Sequence, residues 1–228
     1  MALFEREESD FRSDVASPAL SVTAVENSFV EGVYEKLAKV YDLTFGPTLH
    51  PGRIVALEGM GIRPGDRILE VGVGTGINVP LYPRNCDVTG IDFSGRMLAK
   101  AHERVERKGL RNVNLYEMDA AQLGFPDNSF DIVYAPYVIS VVPDPVQVVR
   151  EMRRVCRPGG KLVILNHFKS ANRLVSRMEQ AISPFTVHIG FKSDLDLPGF
   201  LAQAGLKPAR VQKVSFPPIW SLLTCYKD

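Results

Sequence analysis

Apolar residues recur along the chain in two patterns, and the change between them separates a helical lead-in from an α/β core. Between residues 25 and 40 they recur at steps of three or four with polar residues between them, which predicts an amphipathic helix; they are Val25, Phe29, Val33, Leu37 and Val40. The breaker-rich stretch FGPTLHPG, residues 45–52, predicts the end of that helix. Residues 1–24 show no sustained periodicity and predict a flexible leader.

Beyond Asp66, short continuous apolar runs alternate with helical patterns. The runs predict strands at residues 67–71, 87–91, 113–118, 130–135 and 161–166, with helices at 94–108 and 144–156. Continuous apolar strands separated by helices predict a parallel, doubly wound sheet. A helix at 197–206 and extended runs at 209–216 and 220–226 follow, and the short PPI connection predicts that the last two strands pair antiparallel.

Composition changes this picture little but excludes several classes of protein. A chain of 228 residues with 45% hydrophobic content can bury one core, so we expect one domain at 25–228. It consists of a core at 66–228 and a helical cap at 25–60 that lies over the functional site. The formal charge of +1 argues against a nucleic-acid binder. Three separated cysteines without a CxxC pair or a nearby histidine predict reduced thiols and no metal site. The absence of a signal peptide or a long apolar segment predicts a cytoplasmic protein.

The stretch RILEVGVGTGINVPLY, residues 67–82, places three glycines directly after the first strand. In an open parallel sheet, ligands bind beyond the carboxyl ends of the strands, where this turn lies. The spacing G-V-G-T-G differs from the dinucleotide fingerprint G-x-G-x-x-G, and no Lys-Ser or Lys-Thr pair follows as a P-loop requires. Asp92 ends the second strand, where a carboxylate can accept from both hydroxyls of a ribose, and Asp119 and Ala120 end the third.

These motifs, together with Glu70 and the PGG turn at 158–160, resemble a class I S-adenosylmethionine (SAM)-dependent methyltransferase over residues 66–228. The resemblance implies a Rossmann-like class I methyltransferase fold of the α/β class. That fold has a mostly parallel seven-stranded sheet with an antiparallel last strand, preceded here by N-terminal amphipathic helices. It also implies SAM as the cofactor and S-adenosylhomocysteine (SAH) as the product.

By the same resemblance, ten residues are expected to bind the cofactor: Glu70, Gly72, Gly74, Gly76, Asp92, Phe93, Met97, Asp119, Ala120 and Ala135. Glu70 would lie near the methionine amino group and Asp92 would hold the ribose diol. Met97 would pack on the adenine, whose amine Asp119 would bind. Other interpretations stay open: Glu70 as a satisfied polar strand end, Asp92 as a cap of the helix beginning near Ser94, and Met97 as a core residue.

The methyl acceptor is predicted from aromatic residues and from one histidine. Tyr34 and Tyr41 lie seven residues apart on one helix face, and with Tyr137 they are candidates for a cage that stabilises a cationic amine product. A phenol or enediol acceptor would instead need a general base, for which His167 is the candidate. Tyr34, Tyr41 and His167 are the predicted catalytic residues, although His167 could equally be a helix cap or part of the pocket wall.

The segments YEKLAKVYDLTFGPTLHPGR, LEVGVGTGINVPLY and ILNHF resemble the soluble bacterial phosphatidylethanolamine N-methyltransferases from about Val25 to the end of the chain. The resemblance implies conversion of phosphatidylethanolamine and its mono- and dimethyl derivatives to phosphatidylcholine. It places the protein peripherally on the inner face of the cytoplasmic membrane, near anionic lipid. The predicted acceptor residues are Tyr137, Asn166, Lys169, Arg173 and Arg177. The alternatives are a quinone-precursor C-methyltransferase, another small-molecule methyltransferase, or a binding module that senses membranes, and the oligomeric state is left open.

Overall fold

The computed structural model describes residues 46–169, 195–214 and 220–228. The leader, the amphipathic helix that begins near Val25 and the end of the run at 209–216 lie outside these ranges. Tyr34, Tyr41, Arg173 and Arg177 also lie outside them. In the described ranges, no helix has the length and apolar character needed to cross a bilayer.

Seven strands form one mixed sheet in the order β3-β2-β1-β4-β5-β7-β6. Their bounds are β1 Arg67–Val71, β2 Asp87–Asp92, β3 Val113–Glu117, β4 Phe130–Pro136, β5 Cys156–His167, β6 Arg210–Lys213 and β7 Trp220–Tyr226. Strands β1 to β5 pair in parallel, whereas β7 runs antiparallel to both of its neighbours, β5 and β6. This arrangement confirms the predicted α/β class and the antiparallel last strand.

In the part of the chain that the structure describes, four α-helices accompany the sheet, and three of them begin at polar residues that the sequence provides. They are α1 Gly46–Met60, α2 Gly95–Arg107, α3 Pro145–Val155 and α4 Leu197–Ala204. Ser94, Asp144 and Asp196 each accept a hydrogen bond from a backbone N–H in the first turn of α2, α3 and α4, respectively. Such side chains satisfy donors that the helix itself leaves unpaired.

Helix α1 differs in part from the sequence prediction: it lies within the predicted helical cap at 25–60, but it begins at Gly46, inside the stretch predicted to end a helix. Pro51 lies inside it, and His50, from the same breaker-rich stretch, is an exposed residue of this helix. Packing outweighs the local signal: Leu49, Ala56, Leu57 and Met60 are buried in a core cluster with side chains from the sheet. A proline inside a helix loses one backbone hydrogen bond, which burial of this apolar face offsets.

Both faces of the sheet are covered, as continuous apolar strands require. Along β1, Ile68 joins the cluster that contains α1, while the next residue, Leu69, joins the cluster that contains α3 and α4. Successive side chains of a strand point to opposite faces, so each strand contributes to both cores. The polar carboxyl ends of the strands are thereby held at one edge, where a cavity opens.

Candidate cofactor and acceptor site

A cavity lies at the carboxyl ends of β1, β2 and β4 and at the loop after β3. It occupies the point where the chain order reverses, since β1 is flanked by β2 on one side and β4 on the other. Such a switch point is the usual ligand site of an open α/β sheet. The expected cofactor residues that line it are Glu70, Gly72, Gly74, Asp92, Phe93, Met97, Asp119 and Ala120.

Gly76 and Ala135 are placed differently from the expectation. A Cβ atom at Gly76 would lie 3.2 Å from the Cα atom of Ala101 in α2, so this glycine permits close packing of the loop on the helix. Ala135 is fully buried in the core, and the next residue, Pro136, lines the cavity instead. The sequence prediction identified the glycine loop and the strand β4 that border the cavity. The direction in which each residue points in the fold decided which residues of these two segments reach the cavity.

The three glycines of the loop all adopt positive φ, yet their surroundings differ. The φ angles are +72° at Gly72, +56° at Gly74 and +74° at Gly76, a region that side chains other than glycine rarely adopt. A Cβ atom at Gly72 would meet Val138 Cγ2 at 2.8 Å, whereas one at Gly74 would meet nothing within 4 Å. Gly74 therefore forms the open part of the cavity wall, which a ligand can approach closely.

Exchanging these glycines for alanine is expected to separate stability from binding. Gly76→Ala adds a clash with α2 to the strain of positive φ, and should lower the free energy of unfolding by about 2–4 kcal/mol. Gly74→Ala introduces only the strain of positive φ, which should lower the free energy of unfolding by about 1–2 kcal/mol. The added methyl group lies at the cavity wall, however, and should weaken SAH binding about tenfold. Urea unfolding and calorimetric titration measure the two effects. A Gly76→Ala variant as stable as Gly74→Ala would contradict the packing role of Gly76.

Glu70 is a buried carboxyl group at the end of β1. Its side chain accepts a hydrogen bond from Asn78 Nδ2 at 2.6 Å and another from the Tyr82 hydroxyl at 2.7 Å. Burial raises the pKa of Glu70 to about 7, although both hydrogen bonds and the positive charge of Arg53 act to lower it. Each oxygen keeps a further lone pair, so the carboxyl is both a satisfied strand end and an acceptor at the cavity wall.

Asp92 ties the glycine loop to the start of α2. The Gly74 N–H donates to Asp92 Oδ2 at 2.7 Å, and the Ser94 N–H donates to Asp92 Oδ1 at 3.0 Å. The side-chain cap of α2 is Ser94, whose hydroxyl accepts from the Met97 N–H. Burial raises the pKa of Asp92, while its backbone hydrogen bonds act to lower it. Asp92 therefore organises the loop and also faces the cavity.

The adenine end of the expected site combines aromatic, apolar and polar groups. Phe93 is 44% exposed, although it is a large hydrophobic residue, while Met97 is buried in the wall. Asp119 Oδ1 accepts from the Ala121 N–H at 2.8 Å, which fixes the loop after β3. An exposed aromatic side chain beside a cavity provides a flat surface on which a planar base can stack.

Tyr137 lines the same cavity and joins helix α1 to the sheet. Its φ angle is +61°, its hydroxyl donates to the Leu49 carbonyl of α1 at 2.9 Å, and its ring packs edge-on against Trp220 at 4.8 Å between centroids. The guanidinium carbon of Arg53 lies 5.3 Å from the centroid of the Tyr137 ring. This predicted acceptor residue is therefore at the cavity but is already held by several neighbours.

The other predicted acceptor and catalytic residues in the described ranges do not line the cavity. Asn166 Oδ1 accepts from the backbone and hydroxyl of Ser140, both at 3.3 Å, and its Nδ2 donates to the His167 carbonyl at 2.7 Å. His167 is buried, with its ring 5.9 Å from the Trp220 ring. The Lys169 N–H donates to the Leu195 carbonyl at 2.9 Å. Among the described residues, Asn166 thus supports the loop after β4 rather than the cavity wall.

Arg53 is a cavity residue that the sequence analysis missed. It lies in α1, is 7% exposed and lines the cavity beside Glu70 and Tyr137. Arg53 falls inside the predicted helical cap at 25–60, but no motif in the sequence singled it out as a site residue. The one available signal was an arginine at the start of the mostly apolar run RIVALEGM, whose other charged residue is Glu58.

A glycine loop after β1, acidic residues at the ends of neighbouring strands around one cavity, and an antiparallel last strand together define a SAM-dependent methyltransferase. Residues 69–164 match the family model described as a methyltransferase domain, and the chain belongs to the class I SAM-dependent methyltransferase family. It is an enzyme of that family with SAM as its cofactor, and an open glycine wall with buried acceptors at strand ends fits that cofactor.

Particular relatives refine the comparison. The chain is 46% identical over 171 residues to a phosphatidylethanolamine N-methyltransferase of Cereibacter sphaeroides, covering 75% of this chain and 83% of that protein. It is 36% identical over 156 residues to a demethylmenaquinone methyltransferase of Listeria welshimeri serovar 6b, covering 64% and 65%. A SAM-dependent methyltransferase structure from Aquifex aeolicus shares the fold at a TM-score of 0.63 with 21% identity, covering 85% and 98%.

Proposed function

We propose that the protein transfers methyl groups from SAM to the amine of phosphatidylethanolamine and of its mono- and dimethyl derivatives, and so forms phosphatidylcholine at a membrane surface. One observation carries this proposal: the 46% identity to a phosphatidylethanolamine N-methyltransferase, which extends over 83% of that relative. The similarity to the demethylmenaquinone methyltransferase is lower and covers 65% of that protein. A peripheral position on the inner face of the cytoplasmic membrane belongs to the same proposal.

When bound, SAM supplies an electrophilic methyl group that a nucleophile attacks in line. The task of the protein is to align the two reactants and to exclude water. In this proposal Gly72 and Gly74 would border the ligand, Glu70 would accept from the methionine ammonium, and Asp92 would accept from the ribose hydroxyls. Phe93 and Met97 would hold the adenine, and Asp119, beside Ala120, would accept from its amine.

An amine acceptor must arrive without its proton, and its product gains positive charge on nitrogen. Aromatic faces stabilise such a cation, and Tyr137 offers one at the cavity wall. We assign Tyr34 and Tyr41, in the proposed helical cap at 25–60, to the same cage. Tyr41 or water would accept the proton, since His167 does not line the cavity. The basic residues Lys169, Arg173 and Arg177 are proposed to attract the lipid phosphate and the anionic surface.

The test is methylation of lipid by purified protein. Methyl-labelled SAM is incubated with liposomes of an anionic lipid plus phosphatidylethanolamine, and the products are separated by thin-layer chromatography. The matched control replaces phosphatidylethanolamine with phosphatidylcholine at the same anionic content. We expect label in mono-, di- and trimethylated lipid with the first liposomes and background label with the second. Cofactor binding without labelled lipid on anionic membranes would refute the proposal.

A quinone precursor is the second candidate acceptor, favoured by the 36% identity to a demethylmenaquinone methyltransferase. The same assay separates the two, because demethylmenaquinone dissolves in the same liposomes. Label that appears in the quinone and not in the amine lipid would establish carbon methylation. Label in the amine lipid alone would support the first proposal.

A further inference from the structure

The cavity wall contains a buried cation without a hydrogen-bond partner at one of its donors. Arg53 is 7% exposed, and its Nε atom is buried and makes no hydrogen bond in the described part of the chain. Removing a guanidinium from water without pairing its donors costs free energy. An arginine kept in this state beside a ligand cavity is therefore arranged for an anion that arrives with the ligand.

Helix α1 and the loop after β4 hold this guanidinium in position. Its central carbon lies 5.3 Å from the Tyr137 ring centroid, and the Tyr137 hydroxyl is fixed by the Leu49 carbonyl one turn earlier in α1. Gly52 permits the approach, since a Cβ atom there would lie 2.6 Å from the Tyr137 hydroxyl oxygen. A planar cation held against a ring has lost much of its freedom before any ligand binds, which favours affinity.

We propose that Arg53 binds the α-carboxylate of the methionine part of SAM and SAH. The inference rests on SAM as the cofactor and on no assumption about the methyl acceptor. An α-amino acid carries an ammonium and a carboxylate on one carbon, and this cavity offers the carboxyl group of Glu70 together with the guanidinium of Arg53. A guanidinium matches a carboxylate through two parallel hydrogen bonds.

A lipid phosphate is the other anion that enters such a site. It is esterified to diacylglycerol and must remain within reach of the membrane, whereas Arg53 is almost fully removed from solvent. The depth of the guanidinium and its place beside Glu70 therefore favour the cofactor carboxylate over the phosphate.

Calorimetric titration of Arg53→Met with two ligands tests the assignment without reference to activity. The first ligand is SAH; the second is decarboxylated SAH, which keeps the amine and lacks only the carboxylate. We expect Arg53→Met to lower the affinity for SAH about tenfold or more and to change the affinity for decarboxylated SAH less than about threefold. Arg53→Lys should recover part of the SAH affinity, because it restores the charge without the planar fork.

Arg63→Met is the matched control, since it removes one positive charge from an exposed position shortly after the same helix. It should leave the affinity for both ligands unchanged. Thermal unfolding checks that each variant folds, and Arg53→Lys carries the test if Arg53→Met does not. If Arg53→Met lowered the affinity for both ligands equally, the proposal would be overturned in favour of a structural role for Arg53. Unchanged SAH binding with a raised KM for phospholipid would overturn it in favour of a phosphate site.

Discussion

Replacing Asp92 with alanine is expected to weaken SAH binding about 100-fold or more, because two kinds of hydrogen bond are lost together. One kind holds the protein: the Gly74 and Ser94 N–H groups donate to the two Asp92 oxygens at 2.7 and 3.0 Å. The other is the proposed contact with the ribose hydroxyls, which would use the remaining lone pairs. Loss of the two hydrogen bonds within the protein should by itself lower the free energy of unfolding by about 3 kcal/mol.

The two contributions can be separated by measuring stability and affinity on the same variant. Asp87→Ala is the matched control, because Asp87 is an exposed carboxylate that begins the strand which Asp92 ends. It should change neither quantity appreciably. An Asp92→Ala variant that loses stability but binds SAH within about threefold of the original chain would show that Asp92 acts on the loop only.

Replacing Glu70 with glutamine is expected to remove a pH dependence from both stability and binding. The folded pKa of Glu70, about 7, lies above its ordinary value of 4.5 because burial disfavours the charge. Between these two values the folded chain holds a proton that the unfolded chain has released, so stability falls as pH rises through this range. The difference of 2.5 pKa units corresponds to a loss on the order of 3 kcal/mol.

Urea unfolding of the ligand-free chain and of Glu70→Gln across this pH range measures that loss. The stability of the original chain relative to the variant should decline as pH rises and level off above about 7. A constant difference would show that Glu70 stays ionised in the folded chain.

Cofactor binding should depend on pH in the opposite sense. A ligand ammonium favours the ionised carboxyl, so SAH affinity should increase with pH until Glu70 is ionised, near 7. In Glu70→Gln the affinity should be about 30-fold weaker at alkaline pH and flat with pH. Calorimetric titration at several pH values measures both features. A variant that binds SAH as tightly as the original chain would refute the contact between Glu70 and the ammonium.

Local chemistry explains why much of the cofactor cavity was predictable. A glycine run directly after an apolar strand implies positive φ and close approach, and Gly72 and Gly74 do line the cavity. Acidic residues at the ends of parallel strands must lie along one edge of the sheet, which brings Glu70, Asp92 and Asp119 to the same wall. Neither inference needs a long-range contact, because the repeated apolar runs mark where each strand ends.

By itself, the sequence determined the alternating α/β pattern, the strand that carries the glycine loop and the acids around the cavity, because periodicity and strand-end chemistry are local. Only the tertiary structure decided that α1 continues through Pro51, since burial against the sheet outweighs a local breaker. The tertiary structure likewise decided that Gly76 packs against Ala101 and that Asn166 accepts a hydrogen bond from Ser140. The same helix places Arg53 at the cavity wall. All of these placements depend on which distant surfaces pack together, and no short stretch of residues encodes that packing.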